Sequence, residues 1–266
     1  MAKKEPFMKF DAILLEKKGP IRTLIFNRPQ DRNKITYSWI EEINVALKQL
    51  RDDEEARVLI ITGAGKAFTT GADLQWVQQS DYLQMRRFLG AILDILTQVE
   101  DLEIPVIAAI NGPAIGGGFE LICSCDFRIA SDSAVLGFPE IKLGSVPGAS
   151  ATSRLLRIVG QTKAAEITML GNNITAQEAL TLNLVNKVVP SDRLMDTAFE
   201  LAEELAKRPP LALKLTKKAL NVGFDTDVKS ARRFGLEVMA LTNATEDMRE
   251  GLAAFLEKRQ PEFKGM

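Results

Sequence analysis

The chain has 266 residues, of which 46% are hydrophobic, and its 34 basic and 35 acidic residues give a formal net charge of -1. This length allows a sizeable buried core, and the near-neutral charge argues against a nucleic-acid-binding protein, which would carry a basic patch or stripe. The sequence contains no histidine, which excludes Ser-His-Asp triads, Cys-His pairs and histidine-ligated metal sites. Any acid–base chemistry must therefore use carboxylates, lysine, tyrosine or bound water.

The first part of the chain alternates between strand and helix patterns. The predicted elements, in chain order, are strands over 9–15 and 21–27 that form a hairpin, a helix over 37–51, a strand over 57–62, a mostly helical stretch over about 73–99, a strand over 106–110, a helix over 117–124, and strands over 127–130 and 184–189. Strands that alternate with helices indicate an α/β core with parallel strand pairs.

The character of the sequence changes after Pro190. Residues 192–207 predict an amphipathic helix with Ser191 or Asp192 as its cap, and the remainder to about 258 has a helical pattern. We therefore divide the chain into an α/β core over 1–190, which carries the site, and a helical region over 191–266. The apolar side chains of the helical region need a partner surface, on the core or between subunits.

The two cysteines and the amino terminus bear on the compartment. Cys123 and Cys125 do not have the C-x-x-C spacing of redox or zinc motifs and are interpreted as reduced core thiols. The amino terminus lacks the apolar stretch of a signal peptide, and no run of 18 apolar residues occurs. We therefore expect a cytoplasmic protein without a membrane partner.

A glycine-rich turn follows the predicted strand at 106–110. The three glycines at 116–118 precede a predicted helix and let the backbone approach a ligand closely. The first amides of a helix lack intrahelical partners and its dipole favours negative charge, so the turn is a candidate oxyanion or phosphate site. It matches neither the P-loop nor the G-x-G-x-x-G dinucleotide pattern. From the glycines alone, tight packing of helix against strand is the favoured interpretation.

Two glutamates are candidate catalytic groups. Glu120 lies three residues after Gly117, which on a helix puts its side chain on the same face as that amide. A carboxylate beside an oxyanion site suits proton transfer next to a polarised carbonyl, although an ordinary first-turn glutamate is an equal alternative. Glu140 has apolar flanks that are expected to raise its pKa and let it hold a proton near neutral pH. Most loop glutamates are simply solvated.

A second backbone donor is predicted in the loop that follows the strand at 57–62. Gly71 ends this loop, and Asp73 is a candidate cap for the next helix. Two strand-to-helix turns with open amides are therefore expected to converge on one carbonyl oxygen.

The chain resembles the crotonase (enoyl-CoA hydratase/isomerase) family from Asn27 to Arg259. So many motifs in the family's order and spacing are specific, whereas each motif alone is weak. The matching motifs are Gly65-Lys66-Ala67-Phe68, Gly71-Ala72-Asp73, Asn111-Gly112, Gly116-Gly117-Gly118, Cys125-Asp126, Pro139-Glu140 and Leu143-Gly144. The resemblance implies the family's α/β fold, a spiral of ββα units whose helical carboxyl-terminal region builds trimers, often paired into hexamers.

The resemblance also implies the chemistry of the site. The amides of Ala72 and Gly117 would form the oxyanion hole for the thioester oxygen of an acyl-CoA. Glu120 would help to activate a water, and Glu140 would supply the proton to the α-carbon. Family hydratases carry both glutamates, so the chain is expected to be an enoyl-CoA hydratase, a hydro-lyase of fatty acid metabolism. No cofactor is implied, because coenzyme A is part of the substrate.

The resemblance further implies a set of substrate contacts. The residues are Lys66, Gly71, Asp73, Gly116, Gly148 and, reaching over from a neighbouring subunit, Phe255 and Lys258. For Lys66 and Lys258 the alternative interpretation is a solvated surface charge.

Two segments depart from the family's pattern and leave alternatives open. Gln30 replaces the family's usual lysine, with Arg32 as a candidate substitute in the phosphate contact. Residues 150–154 are Ser-Ala-Thr-Ser-Arg where the family has Gly-Gly-Thr-Gln-Arg, so larger side chains are expected to border the acyl group. A substrate with a cyclic acyl group is therefore an alternative. The alternatives are a Δ3-Δ2-enoyl-CoA isomerase that uses Glu140 alone, a hydratase of a cyclic dienoyl-CoA, and a non-catalytic scaffold that binds acyl-CoA or RNA. The paired glutamates argue against a scaffold, and the mild acidity argues against RNA.

Overall fold

The computed structural model of the chain describes residues 10–148 and 150–266, so residues 1–9 of the predicted core lie outside the described part. Its strands are β1 Ile13–Lys18, β2 Ile21–Phe26, β3 Val58–Gly63, β4 Val106–Ile110, β5 Ala114–Ile115, β6 Phe127–Ser131, β7 Val135–Gly137, β8 Ile174–Thr175 and β9 Lys187–Val189. Its helices are α1 Tyr37–Arg51, α2 Leu74–Gln79, α3 Tyr82–Glu100, α4 Gly117–Ser124, α5 Leu156–Val159, α6 Gln161–Leu170, α7 Ala176–Thr181, α8 Leu194–Ala206, α9 Pro210–Asp225, α10 Val228–Asn243 and α11 Glu246–Glu257.

The main sheet has six strands in the order β1-β2-β3-β4-β6-β9. Only the β1–β2 hairpin is antiparallel, and every other neighbouring pair is parallel, which confirms the predicted α/β core. Successive residues of a strand point to opposite faces, and the two faces belong to different cores. Ile60 and Ile107 face α8, whereas Leu59 and Ala108 belong to the larger core that includes α1 and α3. Because both faces are covered, the central strand β4 is apolar throughout, and β3 is apolar from Val58 to Ile61.

A second sheet of three short strands, in the order β5-β7-β8, positions the start of α4. β5 pairs with β7 in parallel, and the Gly116 amide donates to the Gly137 carbonyl at 2.9 Å. The glycine turn that precedes α4 is therefore anchored to this small sheet. Its two-residue strands are too short to show a strand period in the sequence.

Several predicted boundaries shift in the structure. The helical stretch over 73–99 divides into α2 and α3, because Asp81 caps a new helix in a capping box with Gln84. The prediction that Ser191 or Asp192 caps the next helix is wrong. That helix, α8, begins after a 3-10 turn and has no side-chain cap, because the Ser191 hydroxyl donates to Asp132 at 3.0 Å instead.

The helices α9 to α11 form the carboxyl-terminal region, and α9 is tied to the core by a buried lysine. The ammonium of Lys217 lies 2.8 Å from a carboxylate oxygen of Asp126 and also donates to the carbonyls of Val99 and Ile104. In contrast, α10 buries none of its side chains, and Leu236 and Met239 are more than half exposed. Among the described residues, no helix combines the length and the apolar character needed to cross a membrane.

Candidate active site

The glycine turn before α4 has a backbone that only glycine fits. Gly116 has φ 56° and ψ -122°, and a Cβ built on it would lie 2.6 Å from Oε1 of Glu140. The Glu140 carboxyl group therefore lies directly against the main chain at the start of α4. The conformation of the turn and the place of this carboxyl group are coupled.

The two amides predicted for the oxyanion hole are free of backbone partners among the described residues. Ala72 forms a parallel bridge with Ile35, and both hydrogen bonds of the bridge are made by Ile35. The Ile35 amide donates to the Gly71 carbonyl at 2.9 Å, and the Ile35 carbonyl accepts from the Asp73 amide at 3.4 Å. The N–H of Ala72 therefore points away from Ile35. Gly117 is the first residue of α4, so its N–H has no intrahelical acceptor.

The loop that carries Ala72 lies against the start of α4. Gly71 has a φ of 80°, and a Cβ there would lie 2.8 Å from the Ile115 carbonyl and 3.6 Å from the Gly117 nitrogen. The Ile115 amide donates to the Thr69 carbonyl at 3.0 Å, which joins the two turns directly. The two strand-to-helix turns thus lie against each other, as expected, whereas the convergence of their amides on one carbonyl oxygen stays a prediction.

Two asparagines fix the turn that precedes this loop. Asn33 donates to the carbonyls of Ala64 and Ala67, and Asn111 donates to those of Gly65 and Ala67. Asn111 also accepts from the Gly63 amide at 3.1 Å. The asparagine side chains thus make the hydrogen bonds that a neighbouring strand would otherwise make to the main chain of this turn. This role explains the asparagine of the Asn111-Gly112 motif. The role of Asn33 carries no signal in the sequence.

Glu120 is buried on the first turn of α4, with 8% of the residue exposed. The pKa of its carboxyl group is raised to about 7, chiefly by burial and also by the neighbouring Glu140 charge, while the Ser150 and Ala151 amides lower it. The Ser150 amide donates to Oε1 at 3.2 Å, whereas the Ala151 amide donates to the Gly148 carbonyl at 2.9 Å. Both amides lie at the start of the π-helical turn Ala151–Leu155, which leads into α5. Nothing in the sequence pattern marked Ser150 as a partner of Glu120, because the donor is a main-chain group.

Glu140 lies in the 3-10 turn Pro139–Leu143, and burial raises the pKa of its carboxyl group, as its apolar flanks predicted. Within the described residues, its buried Oε2 has no hydrogen-bond partner. A buried carboxylate oxygen without a donor is costly, so this atom is suited to carrying a proton or meeting a ligand. Glu120 and Glu140 are close enough for the charge on one to disfavour the charge on the other.

The remaining predicted site residues differ in how closely they approach this pair. A Cβ on Gly148 would lie 3.0 Å from Oε1 of Glu120, so Gly148 lines the carboxyl group. Asp73 caps α2, as predicted, and pairs with Lys34 at 3.5 Å. Lys66 is exposed on the turn held by Asn33 and Asn111.

The predicted contacts from the carboxyl-terminal region lie on α11. Phe255 is 80% exposed, and Lys258 ends the helix in the left-handed conformation. Their contact with a neighbouring subunit's ligand stays a prediction.

The sequence and the fold can now be compared with known proteins. The family model described as "Enoyl-CoA hydratase/isomerase" matches residues 16–266. This chain belongs to the enoyl-CoA hydratase/isomerase family. The predicted crotonase-like fold is likewise confirmed by solved structures. An enoyl-CoA hydratase from Bacillus anthracis superimposes with a TM-score of 0.93 at 39% identity, covering 96% of this chain and 100% of the other.

Among the relatives of similar length are two that are named hydratases. A short-chain-enoyl-CoA hydratase of Clostridium acetobutylicum is 39% identical over 256 residues, which cover 96% of this chain and 98% of the relative. A crotonyl-CoA hydratase of Syntrophomonas wolfei is 39% identical over 257 residues, with 96% and 99% covered. The motifs from which the family was inferred therefore lie within full-length similarity.

Proposed function

We propose that this protein is an enoyl-CoA hydratase, which adds water across the double bond of a 2-enoyl-CoA thioester. The observation that carries the proposal is the pair of buried carboxyl groups, Glu120 and Glu140, at the turn where two main-chain amides have no acceptor within residues 10–148 and 150–266. The similarity to named hydratases over nearly the whole chain supports the same reaction.

In the proposed reaction the amides of Ala72 and Gly117 bind the thioester carbonyl oxygen. They polarise the carbonyl group, draw electron density from the β-carbon, and stabilise the enolate that forms when the β-carbon is attacked. Each donor is held by the backbone and needs no reorganisation during the reaction. Removing one donor of this kind typically costs about 3 kcal/mol of transition-state stabilisation.

The two carboxyl groups divide the proton transfers between them. Ionised Glu120 accepts a proton from water as the water oxygen bonds to the β-carbon and the π electrons move onto the thioester oxygen. As the enolate collapses, protonated Glu140 gives its proton to the α-carbon. Exchange with solvent then removes the proton from Glu120 and returns one to Glu140, which restores both groups. The net change is the addition of H and OH. A carboxyl pKa of about 7 lets Glu120 serve as a base near neutral pH.

The proposal extends to substrate contacts and assembly. The residues assigned to the acyl-CoA are Lys66, Gly71, Asp73, Gly116, Gly148, Phe255 and Lys258. The apolar, uncovered side chains of α10 and α11 support a homo-oligomer, a trimer or a dimer of trimers. The proposed location is the cytoplasm. Coenzyme A enters as part of the substrate, and no cofactor is assigned.

The experiment that tests the reaction follows crotonyl-CoA in water enriched in oxygen-18. Wild type is expected to yield a 3-hydroxyacyl-CoA with the label at carbon 3, and Glu120→Gln to lose this activity. Glu166→Gln, which changes an exposed surface pair with Lys163, serves as the matched control and is expected to retain it. Conversion of a 3-enoyl-CoA to its 2-enoyl isomer that survives Glu120→Gln, without label uptake, would assign the chain as an isomerase instead.

A further inference from the structure

Arg154 joins three parts of the chain directly behind the site. It lies in the π-helical turn Ala151–Leu155, four residues after Ser150, whose amide donates to Glu120 at 3.2 Å. Its Nε donates to the Cys123 carbonyl of α4 at 3.1 Å, and its Nη1 lies 3.0 Å from a carboxylate oxygen of Glu100 at the end of α3. Only 15% of the Arg154 side chain is exposed. π-Helical turns cost stability and are common at functional sites.

Glu100 closes the connection back to the helix that carries Glu120. One of its carboxylate oxygens accepts from the Ser124 hydroxyl at 2.7 Å, while the other pairs with Arg154. The last turn of α4 is therefore held at two points, at the Cys123 carbonyl and at the Ser124 hydroxyl. These contacts fix the segment whose Ser150 amide donates to Glu120 relative to α4, the helix that bears Glu120.

Helix α9 covers this ion pair. The Phe224 ring lies 4.6 Å from the guanidinium carbon of Arg154, and Asn221 donates to the Glu100 carbonyl at 3.0 Å. With the buried Lys217, these residues have spacings of four and three and occupy one face of α9. Exclusion of water strengthens the charged contacts beneath them.

We propose that Arg154, paired with Glu100 and covered by Phe224, is a positioning residue for hydration that holds the Ser150 amide on the Glu120 carboxylate. The kinetic test of this role rests on the proposed function, whereas the geometry does not depend on it. Arg154 acts through that amide and does not touch the reacting atoms. The carboxyl-terminal region is thus coupled to the site within one chain.

The Ser150 amide matters because Glu120 must be ionised in a buried place. Glu140 on the neighbouring 3-10 turn disfavours that ionisation. On its own helix, the Cys123 thiol is neutral because burial raises its pKa to about 12. The Ser150 amide makes the largest contribution that favours the ionised form, and its displacement is expected to raise the pKa of Glu120. Amide donors lower a carboxyl pKa by roughly one unit each.

The test compares Arg154→Lys with Arg157→Lys. Lysine keeps the charge but loses the planar fork that reaches both Cys123 and Glu100. Arg157 also packs on Phe224, at 5.2 Å, but its guanidinium donates to the Ser153 carbonyl and not to α4, so its variant is the matched control. Glu100→Gln, which keeps an acceptor for Ser124, is expected to shift the profile in the same direction by a smaller amount.

The expected result is a change in the pH profile of kcat/KM for crotonyl-CoA. A rise of about one unit from a Glu120 pKa of about 7 leaves about a tenth of the enzyme ionised at pH 7 in place of about half, which is about a fivefold loss. Relative to wild type at the same pH, Arg154→Lys should therefore lose about fivefold at pH 7, equal wild type near pH 9, and keep KM within about twofold. Arg157→Lys should follow wild type. A profile that is unchanged, or lowered equally at every pH, overturns the positioning role.

A second readout does not depend on catalysis. Carbon-13 NMR titration of the Glu120 carboxyl group, assigned by its absence in Glu120→Gln, should show a higher pKa in Arg154→Lys than in Arg157→Lys. Equal values in the two variants refute the inference. If wild type hydrates no enoyl thioester, the proposed function fails while this titration still decides the role of Arg154.

Discussion

Replacing Gly116 with alanine should separate the loss of catalysis from the loss of stability. The φ of 56° and ψ of -122° at Gly116 are strained for any residue with a side chain, at a cost of about 1–3 kcal/mol. The added Cβ would lie 2.6 Å from Oε1 of Glu140, and ordinary contacts begin at 3.4 Å. That oxygen ends a flexible side chain, so the carboxyl group moves by about 0.8 Å and the main chain stays in place.

A displacement of this size falls on the group proposed to protonate the α-carbon. Misplacing a reacting group by about 1 Å can cost about 100-fold in rate, so Gly116→Ala should lower kcat/KM for crotonyl-CoA by about 10- to 100-fold. The matched control is Gly160→Ala. Gly160 has φ 79° and ψ 161°, which carries comparable strain, but an added Cβ meets nothing within 4 Å.

Two assays on the same pair of variants give the answer. In urea unfolding, both variants should lose about 1–3 kcal/mol relative to wild type. In the hydration assay, only Gly116→Ala should be slow. If the two variants hydrate crotonyl-CoA equally fast, the placement of Glu140 against Gly116 does not govern the reaction.

Two further predictions concern stability. The pKa of Glu120 in the folded chain, about 7, exceeds its ordinary value of 4.5, so the folded chain binds this proton more tightly than the unfolded chain. The contribution of Glu120 to the free energy of unfolding therefore becomes less favourable as pH rises from 4.5 to 7, by about 3 kcal/mol in total. Urea unfolding should show that Glu120→Gln gains stability over wild type across that range, and a gain that does not vary with pH would contradict the account. Lys217→Met leaves the Asp126 carboxylate without its ammonium partner and should cost about 3–5 kcal/mol, whereas Lys218→Met, at an exposed neighbouring position, should stay within about 0.5 kcal/mol. Equal losses in the two lysine variants would show that the buried pair is not the cause.

How much of the fold was predictable depended on the length and periodicity of each element. The strand at 106–110 and the helices at 37–51 and 117–124 have the predicted bounds, because their apolar patterns are continuous and their ends are marked by turn residues. The strands β5 and β8 have two residues each and leave no periodic signal. The break at Asp81 depended on a capping box within a continuous helical pattern, and it was missed for that reason.

The candidate site was predictable where its side chains carry the chemistry. Glu120 and Glu140 were identified from spacing and flanking residues, and the structure shows a raised pKa for both. The hydrogen bond from the Ser150 amide to Glu120 was not predictable, because a main-chain donor leaves no residue pattern. The contacts of Arg154 were also missed, since they join segments that are distant in sequence and depend on a π-helical turn.

Hydration of a 2-enoyl thioester is proposed to need Glu120 and Glu140 together. This requirement is tested by the rate at which the 2-enoyl thioester absorbance of crotonyl-CoA disappears with wild type, Glu120→Gln and Glu140→Gln at equal concentrations of folded protein. Wild type should remove the absorbance rapidly, and each variant should be slower by about 100-fold or more. Wild type that leaves crotonyl-CoA unchanged, or a variant at either glutamate that keeps the wild-type rate, would refute the joint role of the two glutamates.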